Sequence, residues 1–99
     1  MRIIYLDKPW QHALGIMGKF NIKNKAYVFR FKRPKKDIIH MLFVFTPITI
    51  LFVNEKKNIV AIRDAKPFVS FVPFPQKVPY VVEVTPTKKY KVGQLLDWV

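Results

Sequence analysis

Between Lys19 and Lys36 the chain carries eight cations and no acid: Lys19, Lys23, Lys25, Arg30, Lys32, Arg33, Lys35 and Lys36. A second group, Lys88, Lys89 and Lys91, lies near the end. Clustered ammonium and guanidinium groups displace the counterions of a polyphosphate, which binds nucleic acid without reading its sequence. Tyr27, Phe29 and Phe31 alternate with Arg30 and Lys32, as in sheets that stack bases beside phosphate-binding cations. The same alternation describes a strand whose aromatics are core and whose opposite face, with Val28, Arg30 and Lys32, is wet. These cations are the candidate polyanion-binding set.

Other chemistry has little to work with. There is no cysteine, so disulfides, thiolate catalysis and cysteine-ligated zinc are excluded. His12 and His40 are the only histidines, and no cluster has metal-ligand spacing; no metal or other cofactor is expected. Glu83 is the one carboxylate inside an apolar strand and Asp64 ends another; Glu83 is expected to face solvent or to pair with a lysine. No Ser-His-Asp context, phosphate-binding glycine loop or dinucleotide fingerprint is present, so the expected role is binding, not catalysis. An alternative site lies in the proline-rich connection. Phe68, Phe71 and Phe74 alternate there with Pro67, Pro73 and Pro75, and they could flank a groove for a protein partner or a small ligand. The favoured reading is that they pack down over an open end of the sandwich, since aromatics favour burial.

The elements that would position these groups are mostly strands. Met41 to Val53 is thirteen residues without a charge. A spanning helix needs about twenty apolar residues, and Pro47 would break one. The β-branched and aromatic content predicts two strands, Met41–Phe45 and Thr49–Val53, covered on both faces. Asn54–Asn58 is then a polar turn and Ile59–Arg63 a further strand. Arg2–Leu6, Ala26–Phe31 and Tyr80–Thr85 are predicted strands, with a brief extended piece at Val69–Val72. Lys32–Asp37 reads as a turn. Asp7 can cap a short helix whose apolar face is Trp10, Ala13, Leu14 and Met17, with Gly18 ending it. Gly93 opens a final segment, Leu95–Val99. The prediction is a mainly β single domain, residues 1–99: a small sandwich or barrel of about seven short strands with one short N-terminal helix.

Eighteen basic residues against 6 acidic give a formal net charge of +12. Pairing every acid still leaves the excess, which suits an anionic partner, nucleic acid first, or else a solvated basic surface. The apolar start Met1–Leu6 is soon interrupted by Asp7, Lys8 and Pro9, too early for a signal-peptide core. A cytoplasmic location is expected. The lysine bias without cysteine is thermophile-like.

Laid out this way, the chain resembles the uncharacterised family numbered 192 among domains of unknown function. Gly15-Ile16-Met17-Gly18-Lys19 stands where the family has Gly-Leu-Met and then a basic residue, and Val28-Phe29-Arg30-Phe31 where it has Leu-Phe-x-Phe. The family's aromatic strand corresponds to Ile39–Phe43. Its proline, aliphatic residue, aspartate and hydrophobic strand ending in an acid correspond to Pro47–Asn54. Val82-Glu83-Val84 and Val92-Gly93-Gln94 match its last strand and glycine turn. Three departures stand out: Thr49, Asn54 and Gln94 replace acids of the family pattern. The resemblance implies an all-β, sandwich-like fold of this size and no established activity.

Overall fold

A computed structural model describes residues 2–7, 25–36, 38–40, 47–66 and 71–99. Among these residues the chain is mainly β, with no helix. The strands are β1 (Arg2–Leu6), β2 (Lys25–Lys35), β3 (Ile38–His40), β4 (Ile48–Val53), β5 (Ile59–Ala65), β6 (Phe71–Pro73) and β7 (Val78–Val84). Five form one open sheet in the order β1-β2-β7-β4-β5, while β3 and β6 pair separately. An open mixed sheet with β1 and β5 at its edges thus stands, among the described residues, where a sandwich or barrel is predicted. The expected helix after Asp7 and the expected strand Met41–Phe45 lie outside the described residues, as do Val69 and Ser70 of the Val69–Val72 piece, whose other two residues fall in β6.

All neighbours in the sheet are antiparallel except β1 and β2. Parallel neighbours need a crossover of a dozen or more residues, and residues 7–24 supply the length. Strand β7 is central, so its register fixes the rows of the sheet. One row runs Ile4, Tyr27, Glu83, Ile50, Arg63, and the next on the same face runs Leu6, Phe29, Val81, Phe52, Ala61.

Every residue of β4 is buried, which accounts for its unbroken apolar run. Side chains alternate between two covered faces. Ile48, Ile50 and Phe52 join Tyr27, Phe29, Val81, Val72 and Phe74 in one cluster. Leu51 and Val53 join Val28, Val82 and Val84 on the other face. Residues 85–99 fold back over that second face and bury Tyr90, Leu96 and Val99 against it. Burying each large apolar side chain contributes about 1.5–3 kcal/mol. The Tyr5 hydroxyl donates to the carbonyl of Trp98, closing the far end of this cover.

Two expectations are corrected here. The Val28 face of β2 is not wet along its length, because the C-terminal segment covers it; Val28 is fully buried. Nor is Lys32–Asp37 a turn: β2 continues to Lys35. It pairs with β7 up to Arg30↔Tyr80, slips, and pairs again at Lys35↔Val78. Five steps on β2 against two on β7 force residues 31–34 to bulge, and a bulge is where a strand tolerates a proline such as Pro34.

Candidate functional site

The candidate cations divide by their place on β2. At its base, Lys25 is half-buried. It stands level with Arg2 on β1. A recess of about 200 Å³ opens here, lined by Lys25, Thr85, Pro86, Thr87, Lys89 and Tyr90 among others. The two basic segments of the sequence therefore meet, through Lys25 and Lys89. In the middle of β2, Arg30 is already engaged. Its guanidinium donates from two nitrogens to both carboxylate oxygens of Asp7 and lies 4.2 Å from the Tyr5 ring centre. The hydrogen bonds to Asp7 hold its pKa above the ordinary value. At the far end Lys32, Arg33, Lys35 and Lys36 are exposed on the bulge and just past it, with the Lys35 ammonium 5.5 Å from the Phe31 ring. The 11 residues of β2, at about 3.3 Å each, put its two ends roughly 30 Å apart. Base and tip are separate basic surfaces. Lys91 is exposed on the C-terminal segment, and Lys19 and Lys23 lie outside the described residues.

The loop carrying Lys88 and Lys89 is held from below. Thr49 is fully buried. Its hydroxyl donates to Asp64 Oδ1 at 2.8 Å and accepts the backbone N–H of Thr87 at 3.2 Å. Thr87 Oγ1 in turn accepts the N–H of Lys89 at 3.2 Å. The other oxygen of Asp64 lies 3.6 Å from the Lys88 ammonium. Sequence reasoning missed this relay. Its one signal is a hydroxyl inside an otherwise apolar strand.

Asn54 and Gln94 repeat the pattern. Asn54 Oδ1 accepts the N–H groups of Lys56 and Asn58, both at 3.0 Å. Gln94 Oε1 accepts the N–H of Lys91 at 3.1 Å. Thr49, Asn54 and Gln94, where the resemblance implies acids, thus each carry a neutral oxygen that accepts a backbone donor. The turn geometry keeps its acceptor while the negative charge is gone.

Glu83 is the largest correction. It neither faces solvent nor pairs with a lysine: it is 5% exposed, between Tyr27 and Ile50 in the middle of the sheet. Among the described residues its Oε2 has no hydrogen-bond partner. Burial pushes its pKa up to about 8, because a charge is costly away from water.

The aromatics do not form a stacking platform. Tyr27 and Phe29 are buried in the core, and Phe31 packs against that core with its ring 6.2 Å from Phe74. Phe74 is itself buried, edge-on to Phe52 at 5.3 Å. Of the alternative partner site, Phe68 lies outside the described residues and Phe71 falls in β6. His40 ends β3 and His12 lies outside. Among the described residues no group of three or more His, Asp or Glu could hold a metal ion, and no helix is long and apolar enough to cross a membrane.

The model of the DUF192 family, described as "Uncharacterized ACR, COG1430", matches residues 1–93. The chain belongs to this family. No curated protein matches it. Two solved structures are similar. One is a protein of unknown function from Novosphingobium aromaticivorans DSM 12444, with a TM-score of 0.78 at 19% identity. The match covers 86% of this chain and 63% of that one. The other, from Sinorhizobium meliloti 1021, is described as a "putative transcription regulator". It has a TM-score of 0.75 at 21% identity, over 84% of this chain and 67% of that one. At these identities the likeness of this DUF192 member to both shows the fold alone.

Proposed function

We propose that this DUF192 member is a polyanion-binding module of the cytoplasm, with nucleic acid as its ligand and no catalytic step of its own. The observation that carries the reading is the tip of β2. Lys32, Arg33, Lys35 and Lys36 are all exposed there: Lys32 and Arg33 on the bulge, Lys35 where the pairing resumes and Lys36 just past the strand. Such a surface binds phosphates by releasing their counterions and is indifferent to sequence. The formal charge of +12 adds long-range attraction. With Tyr27 and Phe29 in the core, base stacking plays no part. The description of the Sinorhizobium protein is compatible with a nucleic-acid role.

Reversal of the tip tests the reading. The variant Lys32→Glu/Arg33→Glu/Lys35→Glu/Lys36→Glu should lose on the order of a hundredfold in affinity for a labelled single strand at low salt. These side chains are exposed, so its circular dichroism should match that of the parent. Unchanged affinity in a folded variant would sink the proposal.

A further inference from the structure

The tip supplies charge without shape, whereas the base of β2 supplies both. We infer that the recess beside Lys25 is a site for a terminal phosphate, the phosphomonoester end of a nucleic-acid strand or of a nucleotide. The inference rests on the polyanion reading and gives it a second, differently built contact.

Three observations carry it. First, Lys25 and Lys89 reach the recess from two different segments, and no carboxylate is among the residues that line it. Asp64, the nearby acid of the relay, points one oxygen at Thr49 and the other at Lys88. Second, the recess has a fixed wall. The N–H groups of Thr87 and Lys89 are tied through two threonine hydroxyls to buried Thr49, so the loop is held in place before any ligand arrives. Thr87 Oγ1 spends a lone pair on Lys89 and keeps its proton to donate. Third, the recess is half-open to solvent, with a volume of about 200 Å³. An internal phosphodiester carries one charge and has chain leaving on both sides. A phosphomonoester ends the chain, offers three terminal oxygens and approaches two negative charges at neutral pH. Two ammonium groups beside a hydroxyl suit the second better than the first, since lysine binds phosphate as a point charge from whichever side it approaches. Arg2, level with Lys25 and exposed, adds positive potential at the rim.

The test compares one short single strand in two forms, phosphorylated or hydroxyl at its 5′ end, by fluorescence anisotropy. The phosphorylated strand should bind about tenfold more tightly, the gain expected of a charged hydrogen-bonded contact. Lys25→Gln/Lys89→Gln should erase that ratio. Lys32→Glu/Arg33→Glu should weaken both strands and leave the ratio intact. Adenosine monophosphate should compete away the ratio; if it binds as tightly as the phosphorylated strand, the ligand is a nucleotide rather than a strand end. Equal binding of the two strands would overturn the terminal-phosphate site and leave the polyanion reading standing. Binding of neither would overturn both.

Discussion

Thr49 and Glu83 are the two buried polar side chains of the sheet, one rung apart on neighbouring strands, and they face opposite sides. Thr49 is fully used. It donates to Asp64 and accepts from Thr87, joining the covered face of β4 to the basic loop above it. Glu83 keeps an oxygen with no partner among the described residues and is driven toward its neutral form. On one face buried polarity is spent on fixing where cations stand. On the other, an acid is carried in a form that scarcely offsets them. The formal charge of +12 counts Glu83 as an anion; with a pKa near 8 it is mostly protonated at neutral pH. The first fixes where cations stand; the second leaves the net charge more positive than the formal count.

The comparison can be broken most sharply at Glu83. A carboxyl raised from 4.5 to about 8 holds its proton more tightly folded than unfolded. Its contribution to stability is therefore full below about pH 4.5, is lost as pH rises toward about 8, and is gone above that. The full fall is on the order of 5 kcal/mol, at 1.36 kcal/mol per unit. Urea unfolding at pH 5 and pH 8.5 should show most of it, and Glu83→Gln should remove it. If parent and variant share one pH profile, Glu83 is not held in the way its burial implies.

A smaller effect is expected on the opposite face. Thr49→Val keeps the shape but strands the Thr87 N–H and removes a donor from Asp64, which should cost about 1–3 kcal/mol. Thr49→Ser retains both bonds and should cost well under half of that. Equal losses for valine and serine would show that the methyl group, not the hydroxyl, holds the loop.

Some of this was legible in the sequence. The apolar run through β4 announced a strand covered twice, because only a strand hidden on both faces can omit polar residues. The Asn54–Asn58 turn was equally plain from its composition. Glu83 was misread because alternation along a strand implies a wet face only when nothing covers it. Glu83 lies on the Tyr27 and Ile50 face, where Val72 and Phe74 join the cluster, and that cover has no local signature in β7. The bulge in β2 was hidden by Pro34 among lysines, a pattern that also spells a turn. Thr49, Asn54 and Gln94 were visible as missing charges but not as acceptors, since their partners are backbone groups that only the folded turns bring near. The meeting of Lys25 with Lys89 depends on the pairing of β2 with β7, whose residues are far apart in the chain.

The central claim is that charge at the surface, with its buried acid held neutral, serves to hold a polyanion. Its most direct test is the salt dependence of binding between the unmodified chain and a single-stranded oligonucleotide. Four to six phosphate contacts should make log K fall linearly with log salt at a slope of about −3 to −4. A slope near zero, or no binding at about 50 mM salt where such contacts are strongest, would contradict it.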